Sequence, residues 1–409
     1  MNYLRAFAIP LCCSGGIVLS SCGGSDHHSS SVETVALNNF QAADFALQTD
    51  SSDSGLLSST YGNPTVTSDG ALWVADYGNS RLLRFSPLPS QDGTDAEAVS
   101  TIQYTDASDT VQDYDLDGVQ NAVSYDGKLL APLYDDDSVV IFDSVPVPGE
   151  DNTGIILGTS NFATAPDGSC SANGMSSPET VSAGGDKLVV ADAGHNRLLI
   201  WNSVPVVSGT APDLVLGQYT FTTCANNDDD QDGSSDGQPS ARTLSYPSGV
   251  WTNGKQLLVN DYNNNRVLIW NTFPTENFQP ADLVLGQPDF ATAYANDTNN
   301  DTTGDDPSAQ TLSSPYDGIY SNGVQIFVAD QGNNRMLIWN SWPAENRQAA
   351  DIVLGQSDFT HTVAYDDDQD DETDSATLRT MSAPNGVFQY KDKLIVVDNF
   401  QRILFFTGN

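Results

Sequence analysis

Short apolar runs bounded by turn residues recur down most of this chain, and the recurrence has a long period. Lys187-Leu-Val-Val-Ala-Asp192, Gln256-Leu-Leu-Val-Asn-Asp261, Gln325-Ile-Phe-Val-Ala-Asp330 and Lys393-Leu-Ile-Val-Val-Asp398 are four copies of one run, and Ala71-Leu-Trp-Val-Ala-Asp76 is a fifth. A degenerate sixth, Lys128-Leu-Leu-Ala-Pro-Leu133, aligns without gaps through Phe142, with Leu133 in place of the Asp. Counted at that last position, the copies stand 57, 59, 69, 69 and 68 residues apart. Each period divides into four apolar runs. In the third copy they lie near Thr180-Val181, at Leu188 to Ala191, at Arg197 to Trp201 and at Asp213-Leu-Val-Leu-Gly-Gln218. The middle runs are apolar on consecutive residues, the pattern of strands covered on both faces. Periods of this size made of short strands and turns are propeller blades rather than helical solenoids.

The ends of the chain fix the count. The last copy stops at Ile403-Leu-Phe-Phe406, its third strand, so its outer strand is missing. Thr34-Val-Ala-Leu-Asn-Asn39 precedes the first full copy, resembles the outer strands, and is expected to pair with the last blade and remove an exposed edge. The expectation is an all-β chain: a six-bladed β-propeller of four-stranded antiparallel blades over residues 34–409, closed by an N-terminal strand.

The turns after the Asp positions carry Asn79-Ser-Arg81, His195-Asn-Arg197, Asn264-Asn-Arg266, Asn333-Asn-Arg335 and Phe400-Gln-Arg402. Together with the Val-Ala-Asp strand ends, these resemble the NHL-repeat family. The Val-Leu-Gly-Gln-x-x-Phe runs (Val215 to Phe221, Val284 to Phe290, Val353 to Phe359) look like a bacterial exported lipoprotein branch of it. The resemblance implies a propeller without implying one activity. The second copy lacks both Asp and Arg, which leaves its turn in doubt. Asp and Arg repeated symmetrically read as charged hydrogen bonds tying strand ends together. Phe85, Phe142, Trp201, Trp270, Trp339 and Phe405, closing the third strands, read as packing between blades.

Composition sharpens this. Lys plus Arg number 15 against 54 Asp plus Glu, a net charge of -39, and only seven of the acids are Glu. Asp favours turns over helices. The charge repels a nucleic-acid backbone, so nucleic acid is excluded as a partner; cations and basic partners suit it. Residues 1–21 read as a lipoprotein signal peptide, with Arg5 ahead of an apolar stretch too interrupted to span a membrane. Leu19-Ser20-Ser21-Cys22 resembles a lipobox, making Cys22 the lipidation site and residues 22–33 a flexible tether. Gly23 after the cysteine implies sorting to the outer membrane, so the lipid is the only membrane contact expected. Cys170 and Cys224 follow corresponding Phe residues in successive repeats and are expected to form a disulfide.

Two constellations carry candidate chemistry. Asp228-x-Asp230-x-Asp232, Asp297-x-Asn299-x-Asp301 and Asp366-x-Asp368-x-Asp370 recur in register, and Asp113-x-Asp115-x-Asp117 sits elsewhere in its repeat. Alternate carboxylates of this kind can wrap Ca²⁺, although position twelve lacks the Glu of an EF-hand. Separately, the residue 13 before each anchor is Asn63, Gln120, Glu179, Ser248, Asp317 or Asn385. First strands line a propeller's channel, so these six are expected to ring it. Such a ring can hold one calcium, as in regucalcin-like lactonase propellers. After the tether only His195 and His361 remain, too few for a zinc site, and a lone His in a turn reads as a surface residue. No P-loop, nucleophile elbow or Cys-His pair is present. Two functions stand: a non-enzymatic, calcium-braced scaffold for a protein or glycan at the cell surface, or a calcium-dependent hydrolase or lactonase at the channel.

Overall fold

The computed structural model describes residues 32–48, 57–299, 301, 303–398 and 401–409. The signal segment, Cys22, the tether to residue 31 and Phe400 lie outside the described residues. Six four-stranded antiparallel sheets form the blades of a propeller, each built in the order first to fourth strand from the inside. Blade 3 is representative, with strands Pro178–Gly184, Lys187–Asp192, Arg197–Trp201 and Leu214–Leu216. Its second and third strands pair from Leu188 with Trp201 to Asp192 with Arg197, and its fourth strand sets Leu216 beside Leu198. One face of the ring therefore carries the turns between second and third strands and the connections from each blade to the next. The opposite face carries the remaining turns.

Every side chain of these two central strands is buried except that of Lys187. The cores lie between blades: Val189, Ala191, Leu198 and Ile200 of blade 3 cluster with Val250, Leu257, Val259 and Trp270 of blade 4. A strand sandwiched in this way has no polar face to offer, which is why its sequence does not alternate. The six aromatics closing the third strands are at most 2% exposed, as inter-blade packing requires.

The turn between second and third strands is one short helical turn ending in a left-handed residue: Ser80, Asn196, Asn265 or Asn334. Asn tolerates that conformation because its short amide bonds locally. Blade 2, whose turn lacked the motif, still forms the hairpin, with Ser138 paired to Leu133 and Asp137 at φ 47°. Asp137 accepts from the Ser177 N–H of blade 3 at 2.8 Å, as Asn196 accepts from Tyr246 and Asn265 from Ser314. In blades 2 to 5 the left-handed position is thus a stitch to the next blade.

Ring closure is N-terminal but falls on another segment than expected. Phe45–Gln48, not Thr34–Asn39, supplies the outer strand of blade 6, pairing Phe45 with Phe405 and Gln48 with Arg402. Residues 34–39 form no strand; they pass between blades 5 and 6, where Gln325 holds both the N–H and the carbonyl of Val35. Asn39 accepts from Val353 N–H, as Asn277 does from Val215 and Asn346 from Val284. Asn39 to Asp44 is therefore the linker that precedes the outer strands of blades 4 and 5, here carried to the front of the chain. No helix of the described residues is long and apolar enough to cross a membrane.

Candidate functional site

The Asp-turn-Arg sets are clamps. Each Arg Nε donates to its Asp: Arg81 to Asp76, Arg197 to Asp192, Arg266 to Asp261, Arg335 to Asp330 and Arg402 to Asp398, at 2.6–2.9 Å. The second Asp oxygen accepts a backbone N–H ahead of the first strand, from Ser58, Ser176, Ser245, Ser313 or Ser382. Arg266 also donates to the carbonyls of Phe290, Ser240 and Thr243, so it joins the connections on both sides of its blade. The Phe of each Val-Leu-Gly-Gln-x-x-Phe run is placed for this bond through Phe221, Phe290 and Phe359. His195 is not a surface residue: it is buried, its Nδ1 lies 3.1 Å from Asp192 Oδ2, and it stands where Asn264 and Asn333 bond their own Asp. Cys170 and Cys224 form the expected disulfide across adjacent connections, with Cα atoms 6.2 Å apart.

The acidic loops occupy the connections from blade 3 to 4, 4 to 5 and 5 to 6. In them Asp228, Asp230 and Asp236 converge, as do Asp297, Asp301 and Asp305, and Asp366, Asp368 and Asp374, with oxygens within 4.8 Å of one another. Asp236, Asp305 and Asp374 hold position nine of each loop, and sequence reasoning missed them by searching position twelve. Asp232 and Asp370 instead accept the Ser234 and Glu372 N–H groups and shape the turn. Asn299 does the same for Asp301 N–H. Mutual repulsion, chiefly from Asp370, holds Asp368 above the ordinary carboxyl range. The loops are also tied to the clamps: Asn227 and Asn264 exchange two amide hydrogen bonds, and Asn296 and Asn333 do likewise. The fourth motif is no loop. Asp113 and Asp115 lie on the exposed face of a strand, Val111–Asp115, paired to Thr101–Thr105. Strand rise spreads alternate side chains along a line, so Asp113, Asp115 and Asp117 cannot wrap one ion.

The six residues expected to ring the channel are all buried. Gly249 and Gly318 let neighbouring first strands approach so closely that a Cβ would meet Asp317 O at 2.5 Å and Gly386 N at 3.1 Å. Asn63 donates to Ile319 O and accepts from Val387 N–H, so both its amide nitrogen and its amide oxygen are engaged. Asn385 donates to Thr60 O, and Ser248 lies 3.5 Å from Pro315 O. Glu179 Oε1 accepts from Tyr246 at 2.6 Å and Tyr316 at 2.9 Å. Glu179 Oε2, Gln120 Oε1 and Asn385 Oδ1 receive no hydrogen bond, and the Asp317 carboxyl feels only the backbone N–H of Gly62. Burial raises the Glu179 carboxyl to about 7 against the pull of the two phenols. Burial, then the charge of Glu179, drives Asp317 well above its usual range.

Tyr246 and Tyr316 belong to a closed circle of six. Ring centroids of Tyr77 and Tyr61, Tyr61 and Tyr316, Tyr316 and Tyr262, and Tyr262 and Tyr246 lie 5.2, 6.4, 5.2 and 6.0 Å apart. Tyr134 completes it, 6.4 Å from Tyr77 and hydroxyl to hydroxyl with Tyr246 at 3.4 Å. This aromatic collar caps the channel on the face that bears the acidic loops. Burial holds the Tyr61, Tyr246 and Tyr316 phenols above their ordinary range, so they remain donors. The collar went unnoticed in the sequence, although Tyr77, Tyr134 and Tyr262 each follow an anchor position directly.

No protein-family model matches the chain, and no curated protein does. Among solved structures it is similar to virginiamycin B lyase from Staphylococcus aureus, at 10% identity over 89% of this chain and 98% of that one, with a TM-score of 0.41. A streptogramin B lyase matches at 10% identity over 87% and 95%, with a TM-score of 0.43. The computationally designed Ika8 protein matches at 7% over 90% and 100%, with a TM-score of 0.40. Likenesses this distant say nothing of activity.

Proposed function

We propose that this chain is an exported NHL-type propeller, lipidated at Cys22 and held at the outer membrane, that serves as a non-enzymatic binding module braced by calcium. The observation that carries the reading is the threefold recurrence of converging carboxylates on one face. Their all-oxygen donor set suits a hard cation that takes six to eight oxygens. Asp228, Asp230 and Asp236 would hold one ion, Asp297, Asp301 and Asp305 a second, and Asp366, Asp368 and Asp374 a third. The bound cation would relieve the repulsion among these carboxylates and stiffen the connections that the Asn pairs tie to the clamps. A protein or glycan at the cell surface would then meet a rigid face. Calorimetric titration of chelator-stripped protein should find three calcium sites, one lost in Asp228→Asn/Asp236→Asn. No heat at millimolar calcium would overturn the reading.

One observation favours a second function, a calcium-dependent hydrolase or lactonase at the channel. Gln120, Glu179, Asp317 and Asn385 leave buried oxygens without hydrogen bonds, and these would suit one cation. Opposing it, Asn63 Oδ1 is already engaged by Val387 N–H and the tyrosine collar caps one approach. Calcium-loaded protein that hydrolyses simple lactones, and loses this with Glu179→Gln, would decide for the enzyme.

A further inference from the structure

On the face opposite the acidic loops, the channel opens into a cavity of about 440 Å³ lined by the first strands of all six blades. Its wall has no Asp, Glu, Lys, Arg or His, in a chain that carries 54 acidic residues. Charge this abundant and yet missing from one concave surface argues for an uncharged occupant. The volume lies in the range of small-molecule sites.

The wall is two-sided. Blades 4, 5 and 6 contribute Trp251, Tyr320 and Phe388, with the Tyr320 and Phe388 rings 5.0 Å apart and Trp342 behind Trp251 at 6.2 Å. The aliphatic hydroxyls on this side are spent: Thr252 donates to Gln256 O and Ser321 to Gln325 O. Blades 1, 2 and 3 contribute small residues whose hydroxyls still have protons to give. Thr65 accepts from Ser124 N–H and Ser182 from Thr252 N–H, which leaves both O–H groups as donors. Burial pushes the Tyr320 phenol up to about 12, so it too stays a protonated donor beside the aromatic arc.

The geometry points to a binding site for a neutral sugar ring, its C–H face stacked on Trp251, Tyr320 and Phe388 and its oxygens turned to Thr65, Ser182 and the Tyr320 hydroxyl. A flat ring with one apolar face and a rim of acceptor oxygens matches both halves of the wall. A purely apolar ring would leave the donors of blades 1 to 3 unpaired at a desolvation cost. This deepens the binding-module reading by giving it a ligand class, on the face away from the proposed calcium loops.

The test is a tryptophan-fluorescence titration of the whole soluble chain, with and without calcium. The probes are the methyl glycosides of glucose, galactose, mannose and N-acetylglucosamine, with glucuronate and cyclohexanol as controls. At least one neutral glycoside should saturate the signal, and more tightly than either control. Tyr320→Phe should weaken it roughly 2- to 12-fold, the loss of one hydrogen bond. Ser182→Phe, which fills the cavity from the wall of blade 3, should abolish binding while the far-ultraviolet spectrum stays native. No response to any glycoside, equal binding of cyclohexanol, or an unaffected Ser182→Phe variant would overturn the assignment. Sugar binding that survives calcium removal, or calcium binding without sugar binding, separates this proposal from the loop reading.

Discussion

Glu179 offers the sharpest physical test of the channel. Its carboxyl is fully buried, bonded only by two phenols through one oxygen, and raised from 4.5 to about 7 by desolvation. A folded pKa above the unfolded one means stability that is complete below about pH 4.5 and lost as pH rises through about 7. A shift of this size corresponds to about 3 kcal/mol between those limits. Asp317 is raised as well, so its contribution has the same sign. Glu179→Gln keeps an oxygen for Tyr246 and Tyr316 but cannot ionise. The new amide N–H₂ meets no evident acceptor, which costs about 1–3 kcal/mol at every pH. The readout is therefore the slope of the stability difference and not its absolute value. Urea unfolding of chelator-treated wild type and variant at pH 5, 6, 7 and 8 should show the variant gaining on the wild type by about 2.5 kcal/mol across the series. Repulsion from the net charge of -39 acts on both proteins and cancels in the difference. A difference flat to within about 0.5 kcal/mol would refute a buried, neutral Glu179. Calcium that flattens the slope in the wild type alone would place a cation among the channel oxygens.

Other outcomes follow from the frame. Arg266→Ala strands the buried Asp261 and three carbonyls, and should cost about 3–5 kcal/mol in urea unfolding. Arg266→Lys should recover little, since one ammonium cannot span that fork. Replacing Cys170 and Cys224 by Ser opens a link between residues 54 apart and should cost about 4 kcal/mol by loop entropy; reduction of the wild type should match it. Removing the chain through Gln48 uncovers the edge of blade 6 from Arg402 to Phe405, and light scattering should then report self-association.

The blades were legible because inter-blade burial writes itself into consecutive apolar residues, and the clamps because five blades repeat the same Asp and Arg. Asn63, Gln120, Glu179, Ser248, Asp317 and Asn385 occupy one column when the blades are registered, and all six are buried. The tyrosine collar was not legible, because it draws on two columns. Tyr77, Tyr134 and Tyr262 follow the second strand, whereas Tyr61, Tyr246 and Tyr316 precede the first. No single register displays all six, and only the curvature of the ring brings them into contact. Position nine of the acidic loops was hidden differently, since the EF-hand comparison directed attention to position twelve. The fourth acidic motif shows the converse error, where spacing alone could not separate a wrapped loop from the exposed face of a strand.

The misplaced closing strand shows what a better reading would have used. Thr34 to Asn39 resembles the apolar outer strands, a likeness shared by many short extended segments. Asn39-Phe-Gln-Ala-Ala-Asp44 repeats Asn277-Phe-Gln-Pro-Ala-Asp282 and Asn346-Arg-Gln-Ala-Ala-Asp351 nearly residue for residue. That linker is specific because each part has a bond to make: its Asn side chain accepts from a neighbouring blade's outer strand, and its second residue donates back to the same strand. Hydrophobic pattern identifies a strand, but hydrogen-bonding side chains at fixed offsets identify which strand it is. Placed by the linker, the outer strand of blade 6 falls at Phe45–Gln48, where the structure has it. The same logic bears on function: the residues to trust in this chain are those whose polar atoms have one available partner, and the ones to test are those whose partners are missing.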